Sequence, residues 1–362
     1  MSTSSCKHNL PDAMARRYLI VRTSAIGDIV FASPFARAIK RSEPDAHLAW
    51  LVQDGLQPLL SADPCIDELI VWPRAKWHRL WRDRQWRQLW REVRSFARLL
   101  REHRFDVAID LQGLLKSGWL TWLSAAPLRI GLGSREGSQW LMHLVIPKGG
   151  PPECISSEYL HLAQTLGKDD QNFLPRLHVG DETRRQMRER RQSLGLTQRR
   201  LAILTPFTTR PQKHWSMAAW TELAQKISQE WQMTPVVLGG PADRAQAQQL
   251  ANAVPGLVNL AGLTRLDEAA AWVKQADLLI GVDTGLTHMG IAFARPTVAI
   301  FGSTCPYTDT GRDNAQVIWL GLPCSPCRRK PTCNGAFTCL SDISADMVMA
   351  RARAAMQAPG HS

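Results

Sequence analysis

Several short stretches of this chain carry residue types and spacings suited to chemistry on a phosphorylated ligand. In residues 281–304 (GVDTGLTHMGIAFARPTVAIFGST) an apolar run stops at Asp283-Thr284-Gly285, and helical spacing begins at Leu286. The free N–H groups and dipole of a helix amino terminus attract phosphate. Asp283 or Thr284 equally suits an N-cap without any ligand. His288 falls one turn into the helix, where it can hydrogen-bond a ligand or act as a base. Nearer the amino terminus, Thr23-Ser24-Ala25-Ile26-Gly27-Asp28 follows another apolar run. Gly27 permits close backbone approach. Asp28 can take a proton from a hydroxyl nucleophile or serve the helix start.

Two further loops follow apolar runs. TPFTTRPQKHW (205–215) supplies Thr208 and Thr209 hydroxyls and the Lys213 ammonium, with Trp215 beside them. Lysine neutralises phosphate as a point charge, whereas a purely structural loop would pack Trp215 on the sheet. Gly239-Gly240-Pro241-Ala242-Asp243 places a carboxylate just past a strand, suited to ribose hydroxyls or to a helix start. Cys324, Cys327, Cys333 and Cys339 form C-x2-C-x5-C-x5-C. Four thiolates can hold zinc or iron tetrahedrally, or the segment is a reduced, metal-free loop. Asp-x-Asp, common where a divalent ion binds a nucleotide diphosphate, occurs nowhere in the chain.

The elements that must position these groups alternate. Apolar runs at 18–22, 47–52, 68–71 and 105–110 read as strands, with helical spacing at 29–41, 74–104 and 113–123. Pro34 is expected in the first turns of its helix. A second alternation places strands at 201–205, 235–238, 258–260 and 276–282 and from 297, with helices at 216–231, 241–252, 266–275 and 286–294. This pattern predicts an α/β fold of two Rossmann-like domains, about five parallel strands each, facing a cleft. Expected boundaries are a disordered extension over 1–15, domains over 16–175 and 176–345, and a carboxy-terminal helix and tail over 346–362. Residues 168–185 are polar and read as a linker or helix start. Met14, leading into the first strand, is a second candidate start.

The 362-residue chain carries 44 Lys+Arg against 32 Asp+Glu, a net charge of +12, which points to an anionic partner. No apolar run reaches membrane-spanning length and the amino terminus has no signal-like apolar region, so a cytoplasmic protein with reduced cysteines is expected. Residues 74–104 hold 11 Lys+Arg and three acids, interleaved with Trp77, Trp81, Trp86 and Trp90. Each i,i+4 Trp pair is predicted to share a helix face, with Arg87, Arg91, Arg94, Arg98 and Arg101 forming a stripe. Such a segment suits an anionic membrane surface, a polyphosphorylated ligand, nucleic acid stacked on Trp, or simply a solvated face.

Taken together and in order, TSAIGD, IDLQGLLKS (109–117), TPFTTRPQKHW and VDTGLTHMGIAFARPTVAIFGST resemble the ADP-heptose:lipopolysaccharide heptosyltransferases of glycosyltransferase family 9. The resemblance spans about residues 16–345, and its amino-terminal half is most similar to the heptosyltransferase I branch. It implies a GT-B fold and inverting, metal-independent transfer of heptose from ADP-heptose to the Kdo of Kdo-lipid A. Asp28 matches the family's base and Lys213 its leaving-group lysine. Thr208, Thr209, Trp215, Asp283, Thr284, Gly285, Leu286 and His288 match the donor site. Asp243 stands where the family has glutamate, and Leu263 lies near the adenine contact. Acceptor contacts are expected from Ser24, Gly27, Gln112, Lys116, Arg79, Arg82 and Arg87. The resemblance further implies peripheral contact with the cytoplasmic face of the anionic inner membrane and no nucleic-acid partner. No cofactor is implied for catalysis, with structural zinc or iron on the cysteines as a separate matter. Alternatives are another family 9 heptosyltransferase with a heptose or non-lipopolysaccharide acceptor, a GT-B sugar-nucleotide epimerase, and a nucleic-acid-binding protein.

Overall fold

The apolar runs form two parallel sheets in the computed structural model, which describes residues 15–327 and 330–358. The amino half contains β1 (Arg17–Val21), β2 (His47–Gln53), β3 (Glu68–Trp72), β4 (Val107–Asp110), β5 (Leu128–Leu132) and β6 (Leu144–Ile146), ordered β3-β2-β1-β4-β5-β6. Its helices are α1 (Ile26–Ser42), α2 (Arg74–Arg82), α3 (Trp86–Glu102), α4 (Leu115–Leu123) and α5 (Ser157–Thr165). The α1 and α5 side chains fill one face of the sheet, and Trp77, Phe96, Leu100 and Leu120 fill the other.

The carboxy half opens with α6 (Asp181–Ser193) and β7 (Leu201–Thr205), then α7 (Met217–Trp231), β8 (Thr234–Val237), α8 (Arg244–Ala253), β9 (Val258–Asn259) and α9 (Leu266–Lys274). There follow β10 (Leu278–Val282), α10 (Gly285–Ala292), β11 (Thr297–Ile300), β12 (Ala315–Ile318), α11 (Thr338–Ser341) and α12 (Ala345–Gln357). Strand order is β12-β11-β10-β7-β8-β9. Every β7 and β10 residue is buried, the signature of a parallel sheet covered on both faces. Among the described residues each sheet has six strands, one more than the expected five. The alternation alone did not reveal β5, β6 and β12, the last two having only three and four residues.

Several boundaries differ for physical reasons. Pro34 sits in the middle of α1, not its first turns. Proline has no N–H to offer the Val30 carbonyl, and the Ser33 hydroxyl donates to that carbonyl instead, at 2.8 Å. The basic segment breaks into α2 and α3 around Arg84, whose φ is +54°. Residues 168–180 cross between the halves before α6 begins, since α5 packs against α1 and α6 against α9. α12 lies on α7 and on β11 and β12, which makes it part of the carboxy half. Of the extension expected over 1–15, residues 1–14, including Met14, lie outside the described residues. Among the described residues no helix is long and apolar enough to cross a membrane.

Candidate active site

In each sheet the strand order reverses beside the first strand, between β1 and β4 and between β7 and β10. Open α/β sheets bind ligands at that crevice, outside the strand carboxyl ends. The predicted chemical groups gather at both places, and α1 and α10 bring the two together. A methyl group at Gly27 would lie 2.7 Å from the His288 ring, and one at Gly285 would lie 2.4 Å from the Ile26 side chain. The two helix starts touch only because both positions lack a Cβ.

On the amino side, Arg22 is the residue after β1 and is buried. Its guanidinium donates to the Leu111 carbonyl at 3.0 Å and pairs with Asp28 Oδ1 at 2.8 Å. Burial works against its charge, but Tyr159 and Asp28 outweigh that and hold its proton more firmly than usual. Asp28 Oδ2 accepts the Ala25 N–H at 3.1 Å, one half of a capping box. The carboxylate remains half exposed and lines a cavity of about 500 Å³ with Lys148, Glu158 and Tyr307. The cap and the candidate base are the same side chain.

Behind it, Asp110 ends β4 with no solvent exposure. It accepts the Gln112 and Gly113 N–H groups at 2.9 and 3.1 Å and the Ser117 hydroxyl at 2.9 Å. Burial nevertheless pushes its carboxyl up to about 6. Gln112 Oε1 accepts the Thr23 N–H and hydroxyl at 3.1 and 2.8 Å, tying together the loops after β1 and β4. The predicted acceptor contact Gln112 thus has its carbonyl oxygen committed to positioning Ser24 and Asp28. Lys116 lies on the surface of α4 with its amine only partly enclosed by protein. That partial enclosure, then the charges of Arg74 and Arg22, make its amine less basic than usual.

On the carboxy side, Asp283 follows β10. Its Oδ2 accepts Lys213 Nζ at 2.5 Å and the Thr304 hydroxyl, and its Oδ1 lies 3.2 Å from His288 Nε2. Burial pushes this carboxyl up, but His288 and Lys213 outweigh it and hold it well below the usual carboxylate range. The buried Tyr307 hydroxyl lies 2.6 Å from His288 Nδ1. Burial raises the Tyr307 phenol well above its ordinary value, so it stays protonated. The ionised Asp283 carboxylate can only accept, so Nε2 carries the proton between them. With both ring nitrogens engaged and only 3% exposed, His288 orients Asp283 and has no free lone pair to act as a base.

The predicted donor residues line the sheet edge in spatial order. Asp283, Thr284, Gly285 and Leu286 follow β10; Thr208, Thr209 and Lys213 follow β7; Asp243 follows β8; Leu263 follows β9. The last two loops are joined by the Gly262 N–H to the Gly239 carbonyl at 2.9 Å. Asp243 accepts the Gly240 N–H at 2.7 Å, and Leu263 is exposed. A cleft of about 1190 Å³ opens over Asp283 and Thr304, with Arg135, Arg210 and Lys330 on its walls.

Some predicted residues lie elsewhere. Trp215 is buried, donates to the Ile343 carbonyl at 2.9 Å and packs edge-on against Trp220, so it anchors its loop to the core. Arg79, Arg82 and Arg87 are exposed on α2 and α3 and line neither cavity. The predicted Trp77/Trp81 face does not exist. Trp77 is buried against Trp72, Phe96 and Trp119, while Trp81 is 59% exposed and meets Trp86 across the break. Cys324, Cys327 and Cys333 are close enough for their charges, after burial, to push the Cys339 thiol up. Among the described residues, however, no three His, Cys, Asp or Glu are arranged to hold a metal. Arg22, Asp110, Thr304 and Tyr307 carry much of the geometry without having been singled out. Arg22 and Asp110 were visible as charges closing apolar runs, YLIVR and FDVAID; no local pattern marks the other two.

Comparison with known proteins agrees with this architecture. Residues 93–337 match the family described as Glycosyltransferase family 9 (heptosyltransferase). The chain is 32% identical to lipopolysaccharide heptosyltransferase 1 of Pseudomonas aeruginosa, covering 88% of this chain and 87% of that protein. It is 24% identical to lipopolysaccharide heptosyltransferase 1 of Escherichia coli K12, covering 83% and 92%. In fold it resembles a family 9 glycosyltransferase of Veillonella parvula (TM-score 0.79, 22% identity, 94% and 97% covered). It also resembles E. coli heptosyltransferase WaaC with ADP (TM-score 0.72, 22% identity, 92% and 98% covered). A GT-B arrangement of two parallel sheets, matched along its length by these relatives, makes this chain a glycosyltransferase belonging to family 9, the heptosyltransferases.

Proposed function

We propose that the protein transfers heptose from ADP-heptose to the Kdo of Kdo-lipid A in assembly of the lipopolysaccharide inner core, with inversion. The observation that supports this reading is the contact of the α1 and α10 starts, which brings the helix start bearing the half-exposed Asp28 carboxylate against the one that follows Asp283. Strands in a sheet lie about 4.8 Å apart. The path from β10 through β7 and β8 to β9 is therefore about 14 Å, enough for a sugar diphosphate, ribose and adenine in turn. The diphosphate would lie at the α10 start and Lys213, the ribose at Asp243 and the adenine at Leu263.

In the reaction, Asp28 accepts the proton of the acceptor hydroxyl as its oxygen attacks the anomeric carbon. The bond to the diphosphate breaks on the opposite face, and negative charge grows on the departing oxygen. Lys213 and the free N–H groups at the start of α10 are aimed where that charge appears. Asp283 holds Lys213 in place, and His288 with Tyr307 holds Asp283. Lys116, with Arg74 and Arg22 nearby, offers positive charge to a Kdo carboxylate. The exposed aromatic and basic surface of α2 and α3 supports attachment to the cytoplasmic face of the inner membrane, where the lipid acceptor would be met.

ADP release from ADP-heptose, with and without Kdo-lipid A, tests the assignment. Release that requires the acceptor and drops at least a hundredfold in Asp28→Ala is expected. Unimpaired Asp28→Ala would leave Asp28 as a cap and an ion-pair partner only. No release with any Kdo-bearing acceptor would move the enzyme to another acceptor within family 9. The four cysteines are proposed as a structural zinc or iron site that requires residues 324–339 to rearrange around the ion. Metal analysis of protein purified without added metal should give about one equivalent, lost in Cys327→Ser; protein free of both metals removes the idea.

A further inference from the structure

We infer that an oxyanion bearing a pyrophosphoryl group binds a second site, where Arg37, Arg41, Arg176 and Arg312 surround a cavity of about 400 Å³. Arg37 and Arg41 lie nine and thirteen residues beyond Asp28 on the same helix. At 1.5 Å per residue that is roughly 14–20 Å from the chemistry. The cavity draws on three parts of the molecule. Arg37 and Arg41 belong to the amino half, Arg176 to the segment that crosses over, and Arg312 to the turn before β12 in the carboxy half.

Three of the four guanidinium groups are fixed by backbone carbonyls. Arg37 donates to the Asn172 and Leu174 carbonyls at 2.7 and 3.2 Å, Arg41 to Gln171 at 2.9 Å, and Arg312 to Pro175 at 3.3 Å. These carbonyls fix the guanidinium planes without supplying a formal negative charge. Each guanidinium carries five donors, so further donors remain; Arg312 Nε is buried with no hydrogen-bond partner among the described residues. Three carboxylates are nearby, Asp169 at 3.7 Å from Arg41, Asp313 in the cavity wall and Asp63 within electrostatic reach of Arg37, against four cations. Burial first, then Arg176 and Arg41, weakens the hold of Arg37 on its proton; burial, Arg176 and Arg37 do the same to Arg312. The cluster repels itself, and that repulsion acts between the two halves. Planar guanidinium forks match phosphate oxygens two at a time. An anion with two phosphoryl groups can therefore engage arginines from both halves at once and hold their relative position. A solvated basic face would instead spread its charges over a convex surface.

The inference does not rest on the sugar-transfer reading. It is tested on the full chain by calorimetric titration with inorganic pyrophosphate, ionic strength being held constant with sodium chloride. Saturable binding is expected in Lys213→Gln, where the lysine proposed for the donor diphosphate is removed, and it should be at least tenfold weaker when Arg176→Gln or Arg312→Gln is added to that variant. Arg176 is exposed, so its replacement leaves the core intact. Without anion, Arg176→Gln should melt a few degrees higher than the parent, because a repulsive charge is gone, and it should lose the further rise that pyrophosphate gives. ADP titrated into Lys213→Gln separates the two sources: Arg176-dependent binding identifies a nucleotide-borne group, and binding of pyrophosphate alone identifies the free anion. In the Lys213→Gln background, affinity unchanged by Arg176→Gln and Arg312→Gln, the absence of any saturable binding, or an equal effect of sodium chloride overturns the inference.

Discussion

Asp110 shows how a residue outside the chemistry can govern it. Its carboxylate organises Gln112, which fixes Thr23 and so the loop carrying Asp28. Burial raises its carboxyl to about 6, above the unfolded value near 4. The unfolded chain therefore binds fewer protons between those values, and stability falls as pH rises through that window, then levels off. A shift of roughly two pKa units corresponds to about 3 kcal/mol. Asn fits the same hydrogen bonds: its oxygen can accept both N–H groups, and its amide can donate to Ser117, whose hydroxyl then donates to the Leu114 carbonyl. Asp110→Asn should flatten the pH dependence of urea stability between about 4 and 6 and match or exceed the parent at neutral pH. A loss of several kcal/mol at pH 7 would show that the ionised carboxylate is needed. At this scale the sequence was legible where a polar residue ended an apolar run, as with Asp283, or lay in the loop just after one, as with Asp28 and Lys213. It was silent on Thr304 and Tyr307, because their partners come from an element about twenty residues away. Trp215 misled for a related reason: an aromatic in a ligand loop is also the side chain best able to anchor that loop in the core.

At the scale of elements, the seam depends on two short helix starts meeting without side chains. Alanine at Gly27 or Gly285 introduces a methyl group 2.7 or 2.4 Å from a neighbour, so α1 and α10 must separate. Overpacking of this kind costs about 1–3 kcal/mol. The larger effect should fall on turnover, because in the proposed mechanism catalysis depends on the distance between Asp28 and the donor while the donor is held by the carboxy half. Each variant is expected to lower kcat at least tenfold with ADP affinity within about threefold of the parent. The double variant should cost less than the sum, since one separation relieves both clashes. Unchanged kcat in both would mean that the halves separate and rejoin freely during turnover. The strands that build this seam were read from burial on both faces, which gives continuous apolar runs. The α2–α3 break was not, since Asp83, Arg84 and Gln85 carry no glycine or proline. Its consequence is large, because it sends Trp77 inward and Trp81 outward.

For the whole molecule, the unexplained cost is the surface that the break creates. Trp81, Trp86 and Trp90 are 59, 52 and 61% exposed, and Arg87, Arg91, Arg94 and Arg98 are exposed beside them on α3. Water-exposed tryptophan is unfavourable in a solitary globule, whereas aromatic rings with basic neighbours suit the headgroup layer of an anionic membrane. Each basic residue near such a surface contributes about 1 kcal/mol, and the chain's net charge of +12 supports the approach. The acceptor proposed here is itself a lipid, so the same surface would concentrate enzyme where the substrate lies. Two consequences can be separated. Replacing Trp81, Trp86 and Trp90 together by Ala should weaken sedimentation with phosphatidylglycerol vesicles at least tenfold, and should raise KM for Kdo-lipid A presented in vesicles. With a soluble Kdo acceptor lacking acyl chains, kcat and KM should stay within twofold, because none of these residues lines the cleft. Replacing Arg87, Arg91 and Arg94 by Gln should instead reduce the salt dependence of vesicle binding. Equal binding of parent and triple variant to vesicles, or tighter salt-sensitive binding of the parent to single-stranded DNA than to vesicles, would return this surface to the nucleic-acid reading that interleaved Trp and Arg also permit.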